Sequence, residues 1–161
     1  MIQIKKFARI FTFAALVALV HACNNQKPQN GLIFDAAQIK GHPDTTEVKK
    51  LLHAQPDTSY YRWYFGQRRF IQLYNSMDSS EFRFKDNKLI EIIVNNPSVN
   101  YQPESITHFG LPFQQPTAQD SSAYFMWKNT YQEYEVVNYY LVGSKEKGRK
   151  HNFKIYFKLK E

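Results

Sequence analysis

The cleanest periodicity in the chain lies near its C-terminus. There Phe153, Ile155, Phe157 and Leu159 alternate with Lys154, Tyr156, Lys158 and Lys160. Residues two apart share a face of a strand, so this pattern predicts a strand with one apolar side. The same period recurs upstream. Phe82 and Phe84 alternate with charges, Asp86-Asn87 reads as a turn, and Ile90, Ile92 and Val94 alternate back, which predicts a hairpin over 81–94. Aromatic, β-prone runs predict further strands over 59–65 and 68–74, separated by a turn at Gly66-Gln67, and over 123–128 and 134–143. Helical spacing occurs twice. Val48, Leu51 and Leu52 share one face behind Asp44 and Glu47, a capping-box pair, and Pro56 ends the run. Ile106 and Phe109 lie between Pro103, suited to a first turn, and Gly110, suited to a stop.

Read in order, the chain has a helix, a proline loop, an aromatic strand and further strands, and then a second series of the same kind. Tyr60-Tyr61-Arg62-Trp63-Tyr64 aligns with Tyr124-Phe125-Met126-Trp127-Lys128, which brings together the chain's two tryptophans. This predicts an α+β fold of two tandem helix-plus-antiparallel-sheet modules, 42–97 and 98–161, the second short of one final strand.

The N-terminal segment has a different character. Lys5, Lys6 and Arg9 precede an apolar run from Ile10 to Val20, broken only by Thr12 and followed by His21-Ala22-Cys23. A basic start, a short apolar stretch and a small residue describe a secretory signal over 1–22, too short for a bilayer span of about 20 apolar residues. With the only cysteine directly after Ala22, the segment resembles a bacterial lipoprotein signal, although Val20 and His21 depart from its usual Leu and small residue. The resemblance implies lipidation at Cys23 and a mature chain that starts there. Asn24 replaces the Asp that resembles an inner-membrane retention signal. An outer-membrane anchor with the rest of the chain facing the periplasm is the expectation, on a flexible tether over 23–41.

Charge has to be read with that segment removed. Lys5, Lys6 and Arg9 account for three of the formal +7 charges, so the mature chain carries +4. For an exported chain this points away from nucleic acid and toward anionic head groups or ordinary surface solubility.

The run Thr45-Thr46-Glu47-Val48-Lys49-Lys50-Leu51-Leu52, the Trp63 strand and the 82–94 strand-turn-strand are similar to the SmpA/OmlA (BamE-like) module. The tandem arrangement resembles the β-lactamase inhibitor protein family. His53-Ala54 stands where that module usually has Gly, and the inhibitor's paired cysteines are absent. The resemblance implies helices on one face of an antiparallel sheet and a binding role, and it transfers no active site.

No catalytic constellation stands out. His42, His53, His108 and His151 lack metal-ligand spacing, and His53 and His108 fit helix C-terminal charge positions. Glu133 and Glu135 read as solvated edge charges, and no nucleophile elbow or phosphate loop is present. The chain is therefore read as a non-enzyme without cofactor or metal. Its expected partners are the membrane, through the lipid, and an envelope protein. The alternatives are an inhibitor of a secreted or periplasmic hydrolase, and a small envelope enzyme or ligand carrier.

Aromatics are the informative excess, 26 in the chain. If Tyr61, Trp63 and Phe65 face a core, with Trp63 and Trp127 buried, then Tyr60, Arg62 and Tyr64 face outward. Tyr124, Met126 and Tyr156 are expected to join them on one exposed binding face rimmed by Lys154 and Lys158. The basic turn 144–151 is a further candidate anion contact.

Overall fold

The computed structural model describes residues 31–140 and 153–161. The signal segment, Cys23, the start of the tether, the basic turn 144–151 and His151 lie outside the described residues.

Eight strands form one antiparallel sheet. They are β1 (Thr58–Tyr64), β2 (Gln67–Tyr74), β3 (Ser80–Lys85), β4 (Lys88–Asn95), β5 (Ala118–Asp120), β6 (Tyr124–Trp127), β7 (Tyr134–Tyr140) and β8 (Phe153–Leu159), in the spatial order β1-β2-β3-β4-β8-β7-β6-β5. Each half of the chain is thus a four-strand meander, and the last strand of each meets the other at the centre, Ile92 opposite Phe157 and Val94 opposite Ile155. The β3–β4 connection is the predicted Asp86-Asn87 turn, with both residues at positive φ (50° and 59°), as a two-residue hairpin requires. The β1–β2 turn falls one residue earlier than predicted, on Phe65-Gly66, because Tyr64 pairs with Gln67.

Alternation along the strands gives the sheet two unlike faces. Phe82, Phe84, Leu89, Ile92, Val94, Trp127, Tyr134, Val136, Ile155 and Phe157 are buried on one of them. Segments 31–57 and 97–117 cover it. Phe34 sits edge-on against Phe82, Phe109 and Phe157, at centroid distances of 5.5, 5.3 and 5.6 Å, a geometry that adds to plain area burial. The one α-helix among the described residues, α1 (Thr45–Leu52), starts with the predicted capping box. Asp44 Oδ1 accepts from the backbone of Thr46 (2.8 Å) and Glu47 (2.9 Å), and the Asp44 N–H donates to Glu47 Oε2 (2.8 Å). It ends at His53 in the left-handed region, and Val48 is its buried residue.

The α+β expectation is overturned. The protein is mainly β. One α-helix of eight residues and 3₁₀ segments at Ala36–Gln38, Asn75–Met77 and Pro103–Phe109 make up the described helical structure. Tandem helix-plus-sheet modules are not what forms. The covering layer is largely irregular chain, and buried residues of both halves belong to one hydrophobic cluster. The run 103–109 carries too few apolar positions to distinguish an α-turn from the tighter 3₁₀ turn it adopts. The second half does not lack a strand either. β5 is three exposed residues with no apolar signal. Its presence shifts the internal alignment, since β1, with Trp63, is an edge strand and β6, with Trp127, is interior. The two tryptophans are therefore not equivalent positions.

Candidate binding face of the sheet

The register brings every described candidate to the uncovered face. One row of partners crosses all eight strands: Ala118, Met126, Val137, Tyr156, Ile93, Glu81, Leu73 and Thr58. A second row runs Tyr60, Ile71, Arg83, Glu91, Lys158 and Glu135. Arg62, Tyr64, Lys154 and Tyr124 lie on the same side, since they stand two or, for Tyr64, four residues from members of these rows. At about 4.8 Å per strand the face spans about 34 Å.

Exposure is lower than the sequence suggests. Arg62 and Lys158 are exposed, whereas Tyr60, Tyr64, Tyr124, Met126, Lys154 and Tyr156 are half-buried. These side chains lie down across the sheet. Ile71 and Ile93 show the consequence, for both are fully buried on a face with no described segment above it. Their cover is the neighbouring side chains, Tyr60 and Arg83 on either side of Ile71, and Glu81 and Tyr156 on either side of Ile93.

In the first half of the face, the Tyr64 ring lies among three guanidinium groups, with Arg83, Arg62 and Arg69 at 4.4, 5.2 and 5.8 Å from its centroid. A ring face attracts cations. Arg83 is also held by Glu81 (2.9 Å) and Glu91 (3.0 Å), and Glu91 reaches Arg69 at 3.7 Å. Asn95 Nδ2 donates to Glu81 Oε1 at 3.0 Å. Burial pulls the Arg83 guanidinium down, but the hydrogen bond to Glu81 and the charges of Glu81 and Glu91 outweigh it and raise its pKa. Tyr64 Oη and Arg69 Nε are buried without a hydrogen-bond partner.

The second half is a tyrosine ladder. Tyr139 packs between Tyr124 (6.5 Å, tilted) and Tyr156 (5.6 Å, edge-on at 86°), with Met126 and Val137 alongside. Burial pushes the Tyr156 hydroxyl pKa up, Arg83 opposes this, and Glu91, Glu81 and Tyr139 add to it. Burial, followed by Glu81, raises that of Tyr60. Both hydroxyls are neutral donors at pH 7. The face thus offers hydroxyl donors, ring faces and a thioether, with the Arg83–Glu81–Glu91 group and the lysines of the central strand β8 among them.

Arg69, Glu81, Arg83, Glu91 and Tyr139 belong to this face and were missed. The signal was present for Glu81 and Arg83, which alternate with Phe82 and Phe84. What hid them is that a charged side chain on a strand reads as solvent-facing, whether or not neighbours bury it.

The remaining candidates do not converge. Glu133 is no free edge charge, because its Oε2 accepts from the Gly41 N–H at 2.9 Å. Both ring nitrogens of His42 face carbonyl oxygens, Leu89 O at 2.6 Å and Lys160 O at 3.0 Å, so this ring ties the end of β8 to β4. A hollow of about 490 Å³ beside it is lined by Gln38, Lys40, Glu47, Lys50 and Leu51. Among the described residues no three His, Cys, Asp or Glu side chains are grouped to hold a metal ion, and no helix is long and apolar enough to cross a membrane.

Comparison of the chain with protein-family models, with curated proteins and with solved structures finds no match.

Proposed function

We propose that this chain is a lipid-anchored outer-membrane protein that faces the periplasm and acts without catalysis, docking an envelope protein on the uncovered face of its sheet. The observation that supports this reading is the continuity of that face. One row of register partners runs from β5 to β1 with Tyr156 and Ile93 near its middle. Aromatic, Met and Arg side chains are enriched at the centres of protein interfaces. The complementary partner surface is apolar at its centre and carries carboxylates opposite Lys154 and Lys158.

A photo-crosslinking residue at position 124 or 156, introduced in intact cells, tests the docking. Both positions should give the same single adduct, and position 50 on α1, on the far side of the sheet, should not. Equal labelling from all three positions, or none from the face, would refute it. The anchor has its own test. Cys23→Ser should leave the precursor uncut and unlipidated. A variant that migrates and fractionates like the wild type would remove the lipoprotein half of the proposal and leave the docking half standing.

A further inference from the structure

The β1–β2 hairpin end disobeys the rules the rest of the sheet follows. Its two turn residues, Phe65 and Gly66, both have positive φ, 47° and 76°. Such turns take Asn-Gly or Asp-Gly, and a bulky residue at the first position is an outlier. Packing does not account for the phenylalanine, because the side chain is 102% exposed. Two residues back along β1, Trp63 is 69% exposed, and Tyr61 is 59% exposed. These two side chains lie on the core side of the sheet, where the described covering layer reaches only as far as Thr45, beside Tyr61. Three large aromatics thus stand in water at one projecting corner.

The hairpin itself carries charge of one sign, and Asp86 of the β3–β4 turn lines the same hollow as Tyr61 and Arg68. From Thr58 to Tyr74 the chain holds Arg62, Arg68 and Arg69 and no acidic residue. Arg69 has Glu91 within 3.7 Å. Among the described residues Arg62 and Arg68 make no ion pair, and the Arg68 guanidinium rests 3.9 Å from the Tyr61 ring centroid. Trp and Tyr at head-group depth, an apolar ring beyond them and arginines available to phosphate are the composition of a membrane-interface contact.

We infer that the β1–β2 hairpin tip is a bilayer contact, with Phe65 and Trp63 entering the interface of a leaflet that contains anionic phospholipid and Arg62 and Arg68 meeting its phosphates. This site shares Arg62 with the border of the proposed docking face, is otherwise made of residues outside that face, and does not require the lipid at Cys23. The tip would also fix how the sheet is turned toward the membrane.

The chain supplies its own probe. Its two tryptophans are Trp63, exposed, and Trp127, fully buried, so any lipid-induced change in emission reports residue 63. Full-length protein is mixed with phosphatidylcholine vesicles with and without phosphatidylglycerol, at low salt and at about 1 M salt, where the Debye length falls to about 3 Å. With phosphatidylglycerol at low salt, the emission should shift to the blue, acrylamide quenching should fall, and brominated lipid should quench. These signals should weaken without phosphatidylglycerol or at high salt. Phe65→Asn suits the turn better than phenylalanine, so it should fold at least as well, and it should weaken the lipid response by about tenfold or more through the lost ring. Trp63 still open to acrylamide and untouched by bromolipid would overturn the inference. So would shielding that arises without lipid, the mark of a protein contact, or a Phe65→Asn variant that responds like the wild type. The readout is local to residue 63, so failure here leaves the crosslinking and Cys23 tests unaffected.

Discussion

Removing each tryptophan in turn should have very different consequences, and the difference measures where the covering layer ends. Trp127 is fully buried, and its indole N–H donates to Gln114 O at 2.8 Å. Trp127→Ala should cost about 3–5 kcal/mol from lost transfer and the cavity left behind. The lost hydrogen bond adds little, because Gln114 is exposed and water can take its carbonyl. Trp63 is 69% exposed. A third of an indole's roughly 200 Å² at about 25 cal/mol/Å² is about 1.5 kcal/mol, and this is an upper estimate because the unfolded chain also buries part of that area. Urea titrations followed by far-UV circular dichroism separate the two, since each variant keeps only one tryptophan and fluorescence would not compare like with like. The midpoint should fall steeply for Trp127→Ala and slightly for Trp63→Ala, with equal m-values. Equal losses of 3 kcal/mol or more, to quote the low end of the core range, would refute the reasoning. They would mean that a layer covers β1 as well.

Three further predictions concern the frame of the fold. Gly110→Ala puts a Cβ at a φ of +73° and into Asp35 Oδ1, and should cost about 1–3 kcal/mol, read as a lowered thermal midpoint. Asp44→Ala removes the acceptor for two amides at the start of α1 and should cost about 1 kcal/mol, with hydrogen exchange accelerated first in that helix. Burial pushes the Tyr101 and Tyr131 hydroxyls up to about 12, against about 10 in an unfolded chain. The raised value means that their contribution is intact below pH 10 and is lost as pH climbs through 12, so part of the tyrosinate absorbance should appear only together with loss of near-UV circular dichroism. If that absorbance rose fully while the near-UV signal persisted, the burial argument would fail.

How much of this was legible in the chain depends on how local the signal is. The strand pattern of β3 and β8, the Asp86-Asn87 turn, the Asp44 cap and the Gly110 stop are written in neighbouring residues, and each forms where it was read, whereas in β4 a bulge opposite Arg83-Phe84 puts Leu89 in the core in place of the expected Ile90. The sidedness of Tyr60, Arg62, Tyr64, Tyr124, Met126 and Tyr156 was legible for the same reason, because a period of two fixes which side chains share a face. The pairing of β4 with β8 was not, since it joins residues such as Val94 and Ile155 that no local pattern relates. Coverage was not legible either. Alternation sends Trp63 and Trp127 to the same face, but the length of the layer above them decides that one is buried and the other is bare. β5 is short and polar, and it escaped because only its neighbour β6 makes it a strand.

The two edges of the sheet bear on what the molecule is for. β5 ends its side with three residues, Ala118, Gln119 and Asp120, and so short a strand is a poor template for a further chain. β1 ends the other with seven, rich in aromatics and with Arg62 as its one charge. An unprotected edge of that kind is an aggregation hazard that folded proteins usually blunt with charge, proline or a bulge. The same sequence uses the short-strand device at β5, whereas among the described residues no segment pairs with the outer edge of β1. The hairpin also keeps a phenylalanine where an asparagine would sit with less strain. Neither feature adds to the core. Both place apolar surface and arginine at one corner, and an anionic bilayer interface that takes up that corner would also remove the hazard by covering the tip.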